Sequence, residues 1–216
     1  MSRKLIANTI ASGVRFVAGT TVRCVGPVPD HRQTIFFANH SSHLDFVVLW
    51  AVLPRAIRAQ VRPVAAKDYW EKGIRRRLAV NVFRSVLVER HHEHHEHGEG
   101  DAHGHSSSSR HSVEALYQAL DQDDSLIIFP EGTRGTGEAI APLKSGIYHL
   151  WKHKPGVQFV PVYLCNLNRV LPKGEFLPVP VITRVTFGTS LGLDTCESKE
   201  SFLQKAHKAL CALREI

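Results

Sequence analysis

Short apolar blocks limit the folds open to this chain more than any other feature. Thr34–Ala38 (TIFFA), residues 126–129 (LIIF) and residues 157–164 (VQFVPVYL) are rich in aromatic and aliphatic side chains, many of them β-branched. They lack the strict polar alternation of a half-exposed strand, so they read as strands covered on both faces. Between them lie stretches with helical spacing, over residues 46–53, 113–120, 143–151 and 199–213. Further strands are predicted at 19–25, 61–65, 85–88 and 179–187, and a basic helix at 74–83. Strands alternating with helices predict an α/β fold: a single domain with a central, mostly parallel or mixed sheet covered by helices. The 216 residues and the 43% hydrophobic share are enough for one such core.

Two segments stand apart from this pattern. At the start, Ile6, Ile10, Val14 and Val17 recur at helical spacing, and Arg3, Lys4, Arg15 and Arg23 precede the first acid, Asp30. A basic amphipathic helix either packs on a core or lies in a membrane interface. No apolar run is long enough to span a bilayer, and Asn8, Ser12 and Arg15 interrupt any signal-peptide core, so neither a membrane span nor a cleaved leader is expected. The second segment, residues 91–109, has no aliphatic side chain larger than Ala. It predicts a disordered His-rich surface insertion, with adventitious metal binding as the sharper alternative. Setting aside its four acids raises the net charge of the rest of the chain from +7 to +11. Such a basic body calls for an anionic partner, yet no nucleic-acid motif or aromatic platform accompanies the charge. The four cysteines, Cys24, Cys165, Cys196 and Cys211, are scattered and form neither a zinc motif nor a disulfide framework.

Two motifs carry chemistry, and each follows a buried strand, where open α/β sheets bind ligands. In Asn39-His40-Ser41-Ser42-His43-Leu44-Asp45, His40 and Asp45 are five residues apart and do not share a helical face. They meet if His40 lies in the turn and Asp45 opens the next helix. Asp45 then fixes one ring nitrogen and leaves the other as a base, a triad without its nucleophile. The plainer alternatives are a turn cap with a helix cap, or His40, His43 and Asp45 as metal ligands. In Phe129-Pro130-Glu131-Gly132-Thr133-Arg134, Gly132 permits unusual backbone angles and Arg134 offers a fork for phosphate. Glu131 is placed to orient that guanidinium, and the plainer alternative is a polar turn with an internal ion pair.

Together, NHxxxxD and FPEGTR resemble the signature of the glycerophospholipid acyltransferase family. Other blocks agree in order: Val64-Ala65-Ala66-Lys67, Ser85 to Arg90, Pro142-Leu143-Lys144-Ser145-Gly146, Val160-Pro161-Val162, Leu171-Pro172-Lys173-Gly174 and Phe187-Gly188. The resemblance covers most of residues 20–190. The block before Arg90 departs from the pattern, with Arg84 and Glu89 where the family has Gly and Asp.

The resemblance implies acyl transfer from a thioester, acyl-CoA or acyl carrier protein, to the free hydroxyl of a lysophospholipid. The acceptor it favours is 1-acyl-sn-glycerol-3-phosphate; other lysolipids, including a lyso-ornithine lipid, are alternatives. His40 and Asp45 would be catalytic. Lys67, Arg90, Glu131, Gly132, Thr133 and Arg134 would hold the acceptor phosphate. The thioester is already activated, so no enzyme nucleophile, metal or cofactor is implied. A lipid acceptor turns the reading of residues 1–18 towards a membrane-interface helix ahead of an acyltransferase domain at 19–216. It implies a peripheral protein on an anionic membrane surface, at the cytoplasmic face of the inner membrane.

Overall fold

The computed structural model describes residues 3–70, 73–89, 107–167, 182–194 and 196–216. Helix α1 (Arg3–Val17) leads into β1 (Thr21–Cys24) and β2 (Thr34–Ala38). Next come α2 (Asp45–Val52), the short α3 (Arg55–Arg58), β3 (Val61–Ala66) and the single turn α4 (Lys67–Trp70). Helix α5 (Gly73–Arg77) runs into a π-helical turn, Leu78–Val82, and then β4 (Val86–Val88). The remaining elements are α6 (Ser107–Asp121), β5 (Ser125–Ile128), α7 (Gly146–His153), β6 (Gln158–Cys165), β7 (Arg184–Phe187) and α8 (Lys199–Arg214).

The strands form one sheet in the order β1-β7-β6-β2-β5-β3-β4. The β6–β7 pair is antiparallel and every other described pair is parallel. This is the mixed, largely parallel sheet the sequence predicts. Alternate side chains enter two separate cores. Phe36, Ala38, Ile127 and Val162 meet α1 and α2 on one face, while Ile35, Phe37, Leu126, Ile128 and Phe159 meet α6, α7 and α8 on the other. Both faces are covered, which is why Ile35 to Ala38 and LIIF are apolar throughout. An aromatic group anchors the second core, with Trp151 stacked on Phe202 at 5.3 Å and Phe159 edge-on to Phe202 at 5.7 Å.

Several boundaries differ from expectation for identifiable reasons. The helix predicted at 74–83 gives way to wider turns after Arg77, with Phe83 N–H donating to the Leu78 carbonyl at 3.0 Å. Helix α7 starts at Gly146 rather than 143, because Lys144 N–H is drawn to the Pro130 carbonyl at 2.8 Å. Helix α6 begins at Ser107, so residues 107–109, assigned above to the insertion, are helical. Residues 90–106, the 171–174 block and positions 179–181 lie outside the described residues. The N-terminal stripe Ile6, Ile10 and Val14 packs against the first core, and Arg58 clips α1 in place by donating to Asn8 Oδ1 at 2.7 Å. Among the described residues, no helix is long and apolar enough to cross a membrane.

Candidate active site

Strands β2, β5, β3 and β4 are neighbours and run in one direction, so their carboxyl ends share one edge of the sheet. Three of these ends carry predicted site residues, and the fourth carries the Glu89 that departs from the family pattern. His40 and Asp45 follow β2, Glu131 to Arg134 follow β5, Lys67 follows β3, and Glu89 follows β4. Topology alone therefore brings motifs distant in sequence to one crevice.

The turn after β2 is rigid. Asn39 is buried and pairs its side chain with both backbone groups of Leu164, Nδ2 donating at 3.0 Å and Oδ1 accepting at 2.7 Å. This pins the end of β2 to β6. Asp45 is the first residue of α2, where the helix dipole favours a carboxylate, and it is fully buried. Its Oδ2 accepts from Ser41 N–H at 2.6 Å and Ser42 N–H at 2.8 Å, and meets His40 Nδ1 at 2.8 Å. An oxygen that already receives two N–H groups acts as an acceptor, so Nδ1 carries the proton it shares with Asp45. The lone pair of the neutral ring then lies on Nε2. Asp45 Oδ1 is buried without a hydrogen-bond partner among the described residues. Its negative charge is left to meet the imidazolium formed when Nε2 takes a proton. The ring stacks on Phe129 at 4.4 Å and its side chain is 14% exposed.

The turn after β5 clamps the same histidine from its backbone. Glu131 is buried, its Oε1 accepting from His40 N–H at 2.7 Å and its Oε2 from Ala141 N–H at 2.9 Å. Gly135 N–H donates to the His40 carbonyl at 2.9 Å. Glu131 thus scaffolds His40 rather than orienting Arg134. Gly132 has φ +75°, and a side chain there would run into Lys144, whose Cε lies 2.8 Å from the position of a Cβ. The positive φ favours glycine, and any larger residue would also push the Lys144 side chain aside. Thr133 and Arg134 are exposed.

Of the other predicted cation sites, Lys67 bonds Glu89 Oε1 at 3.0 Å, joining the ends of β3 and β4. Arg90 lies outside the described residues. The two departures from the family pattern have local explanations. Arg84 takes the left-handed conformation a glycine would adopt, at φ +55°, and its guanidinium donates to Asp124 Oδ2 and the Ala59 carbonyl, both at 3.0 Å. Glu89 is the partner of Lys67. The amides of His40, Ser41 and Ser42 are all engaged by carboxylates, so the backbone N–H groups beside His40 do not serve as an oxyanion hole. Among the described residues, no three His, Cys, Asp or Glu side chains converge as metal ligands.

His40 opens onto a cavity of about 310 Å³ walled by apolar side chains, including Phe46, Trp70, Leu116, Ile147 and Leu150. Its size is at the lower end for small-molecule sites. Sequence reasoning missed two members of this site. Lys144 lies against Gly132 at the cavity wall, and only its place in the Lys-x-Gly block hinted at it. Tyr117 closes part of the α6 wall and stacks on His153 at 4.0 Å.

The family model described as Acyltransferase matches residues 20–165. The chain belongs to the acyltransferase family, in line with the resemblance read from its motifs. It is 24% identical over 208 residues to the 1-acyl-sn-glycerol-3-phosphate acyltransferase of Limnanthes douglasii, covering 94% of this chain and 66% of that protein. The protein of the same name from Limnanthes alba matches to the same extent. The chain thus spans just under two thirds of the length of these relatives. The crystal structure of the 1-acyl-sn-glycerophosphate (LPA) acyltransferase PlsC from Thermotoga maritima superimposes with a TM-score of 0.72, covering 99% of this chain and 80% of that one at 17% identity. That likeness establishes the fold.

Proposed function

We propose that this chain transfers a fatty acyl group from a thioester donor, acyl-CoA or acyl carrier protein, to the free hydroxyl of 1-acyl-sn-glycerol-3-phosphate, forming phosphatidic acid. The observation that carries this reading is an Asp45–His40 pair whose free ring nitrogen faces an apolar cavity with Lys144 in its wall. In this scheme Nε2 of His40 removes the hydroxyl proton as the oxygen attacks the thioester carbonyl. Asp45 stabilises the resulting imidazolium. Collapse of the tetrahedral intermediate breaks the C–S bond, and the thiolate leaves with the proton held on Nε2. The acceptor oxygen supplies the nucleophile that the pair lacks. Lys144, Arg134 and Lys67 hold the acceptor phosphate, and the apolar cavity takes an acyl chain. The names of the curated relatives support the acceptor class. Acceptor and product both reside in bilayers, which supports a peripheral protein working at a membrane surface.

The test is acyl transfer from a long-chain acyl-CoA to 1-acyl-sn-glycerol-3-phosphate in detergent, with a chelator present and His40→Ala alongside. The expected result is activity in the wild type that is lost in the variant. Wild-type protein that is folded yet inactive with this acceptor, with other lysolipids and with both donor classes would overturn the reading.

A further inference from the structure

Ile6, Ile10 and Val14 of α1 pack against the first core, which leaves the exposed surface beside them to meet a bilayer. Residues 73–82 present it. Helix α5 and the π-helical turn sink Ala79 and Val82 into the protein, pack Leu78 against the first core, and leave Ile74, Arg76, Arg77, Val80 and Asn81 exposed. Ile74 is 73% exposed and Val80 is 47% exposed. Arg76 and Arg77 are exposed between them, and with Gly73, Val80 and Asn81 they line one shallow concavity beside Ile74. From Gly73 to Val88 the sequence has four arginines and no acid. The π-helical turn packs beside α1, whose exposed side chains include Leu5, Arg15 and Phe16.

This edge is continuous with the candidate active site. Phe83, directly after the π-helical turn, packs edge-on against Phe46 at 5.3 Å and Trp70 at 6.4 Å. Phe46 and Trp70 both wall the His40 cavity. The charge complements anionic phosphates. The exposed aliphatic side chains gain only where they leave water, which favours a lipid surface over a nucleic acid.

We propose that residues 73–82 are a membrane-docking edge, in which Ile74 and Val80 enter the acyl boundary of an anionic bilayer while Arg76 and Arg77 take lipid phosphates. Docking there sets the mouth of the His40 cavity against the bilayer. The proposal does not depend on turnover, so it stands or falls separately from the acyl-transfer reading.

The test is cosedimentation of the full chain with vesicles of phosphatidylcholine alone and of phosphatidylcholine with phosphatidylglycerol. Variants are Ile74→Glu, Arg76→Gln with Arg77→Gln, and a charge-matched control, Lys208→Gln with Arg214→Gln, on α8 across the sheet. Each arginine removed from a membrane-facing site is expected to weaken partitioning about fivefold. The double variant should therefore lose about twenty-five-fold on anionic vesicles, Ile74→Glu should lose binding to a similar degree, and the control should bind as the wild type does. All variants should keep wild-type melting temperatures and the wild-type rate on a detergent-dispersed acceptor. Wild-type protein that ignores anionic vesicles would overturn the proposal. So would edge variants that bind like the wild type, or a control that loses as much as the edge variants. Binding to an oligonucleotide that outcompetes the vesicles would show that the surface has a different partner and would also overturn it.

Discussion

The turn after β2 and the turn after β5 both surround His40, yet they are built differently. In the first, Asn39 and Asp45 are buried and their side chains are held by backbone partners. The second divides within two residues: Glu131 is buried beneath His40, while Gly132, Thr133 and Arg134 are exposed. A group that moves a proton must be fixed to a fraction of an ångström, whereas a group that holds a phosphate works at the water boundary. Under the proposed acyl transfer, this division would put the rate in the buried part and acceptor affinity in the exposed part.

The largest effects should come from the buried pair. His40→Ala and Asp45→Asn should each lower kcat by about 10³–10⁴-fold, since Asn leaves the ring without its counter-charge. Melting temperature should fall modestly in Asp45→Asn, because two backbone N–H groups keep only a neutral acceptor. Glu131→Gln sharpens the comparison, since it alters the scaffold without touching substrate. Its amide NH₂ must face one of two backbone donors, at a cost of about 1–3 kcal/mol. We expect kcat and thermal stability to fall together, and acyl-transfer assays paired with thermal melts check this.

The exposed part should behave in the opposite way. Arg134→Gln and Lys144→Met should each raise KM for the phosphate-bearing acceptor about tenfold, the value of one charge-assisted hydrogen bond. Neither should change kcat or melting temperature, and an acceptor without phosphate should lose the difference. Arg84→Gly, outside the site, should be the smallest change. It relieves a left-handed non-glycine backbone, worth about 1–2 kcal/mol, and removes an ion pair with Asp124 of similar size. Denaturant unfolding should place it within about 1 kcal/mol of the wild type.

Local chemistry decided how much of this was legible in the sequence. Strands β2 and β5 were readable because both faces are buried, which makes Ile35 to Ala38 and LIIF apolar without interruption. The His40–Asp45 pair was readable because its geometry is contained in one turn. Glu131 was placed in the right turn with the wrong partner, since the amides it holds, at His40 and Ala141, are not marked by any residue type. Lys144 was hidden because its contact with Gly132 depends on the path of the loop between them. The left-handed turn before β4 carried no glycine to announce it, because Arg84 adopts that conformation and ties itself to Asp124. The start of α6 was missed because Ser107 and its neighbours are polar and show no helical period. The stripe on α1 was read correctly as a helix face, but its periodicity is the same whether it meets a core or a lipid.

The most direct test of this division is steady-state kinetics of His40→Ala and Arg134→Gln, with acyl-CoA and 1-acyl-sn-glycerol-3-phosphate as substrates. Under this division His40→Ala should lose kcat by at least about 10³-fold while Arg134→Gln keeps kcat and raises KM. Turnover by His40→Ala at the wild-type rate, or a collapse of kcat in Arg134→Gln at saturating acceptor, would contradict it.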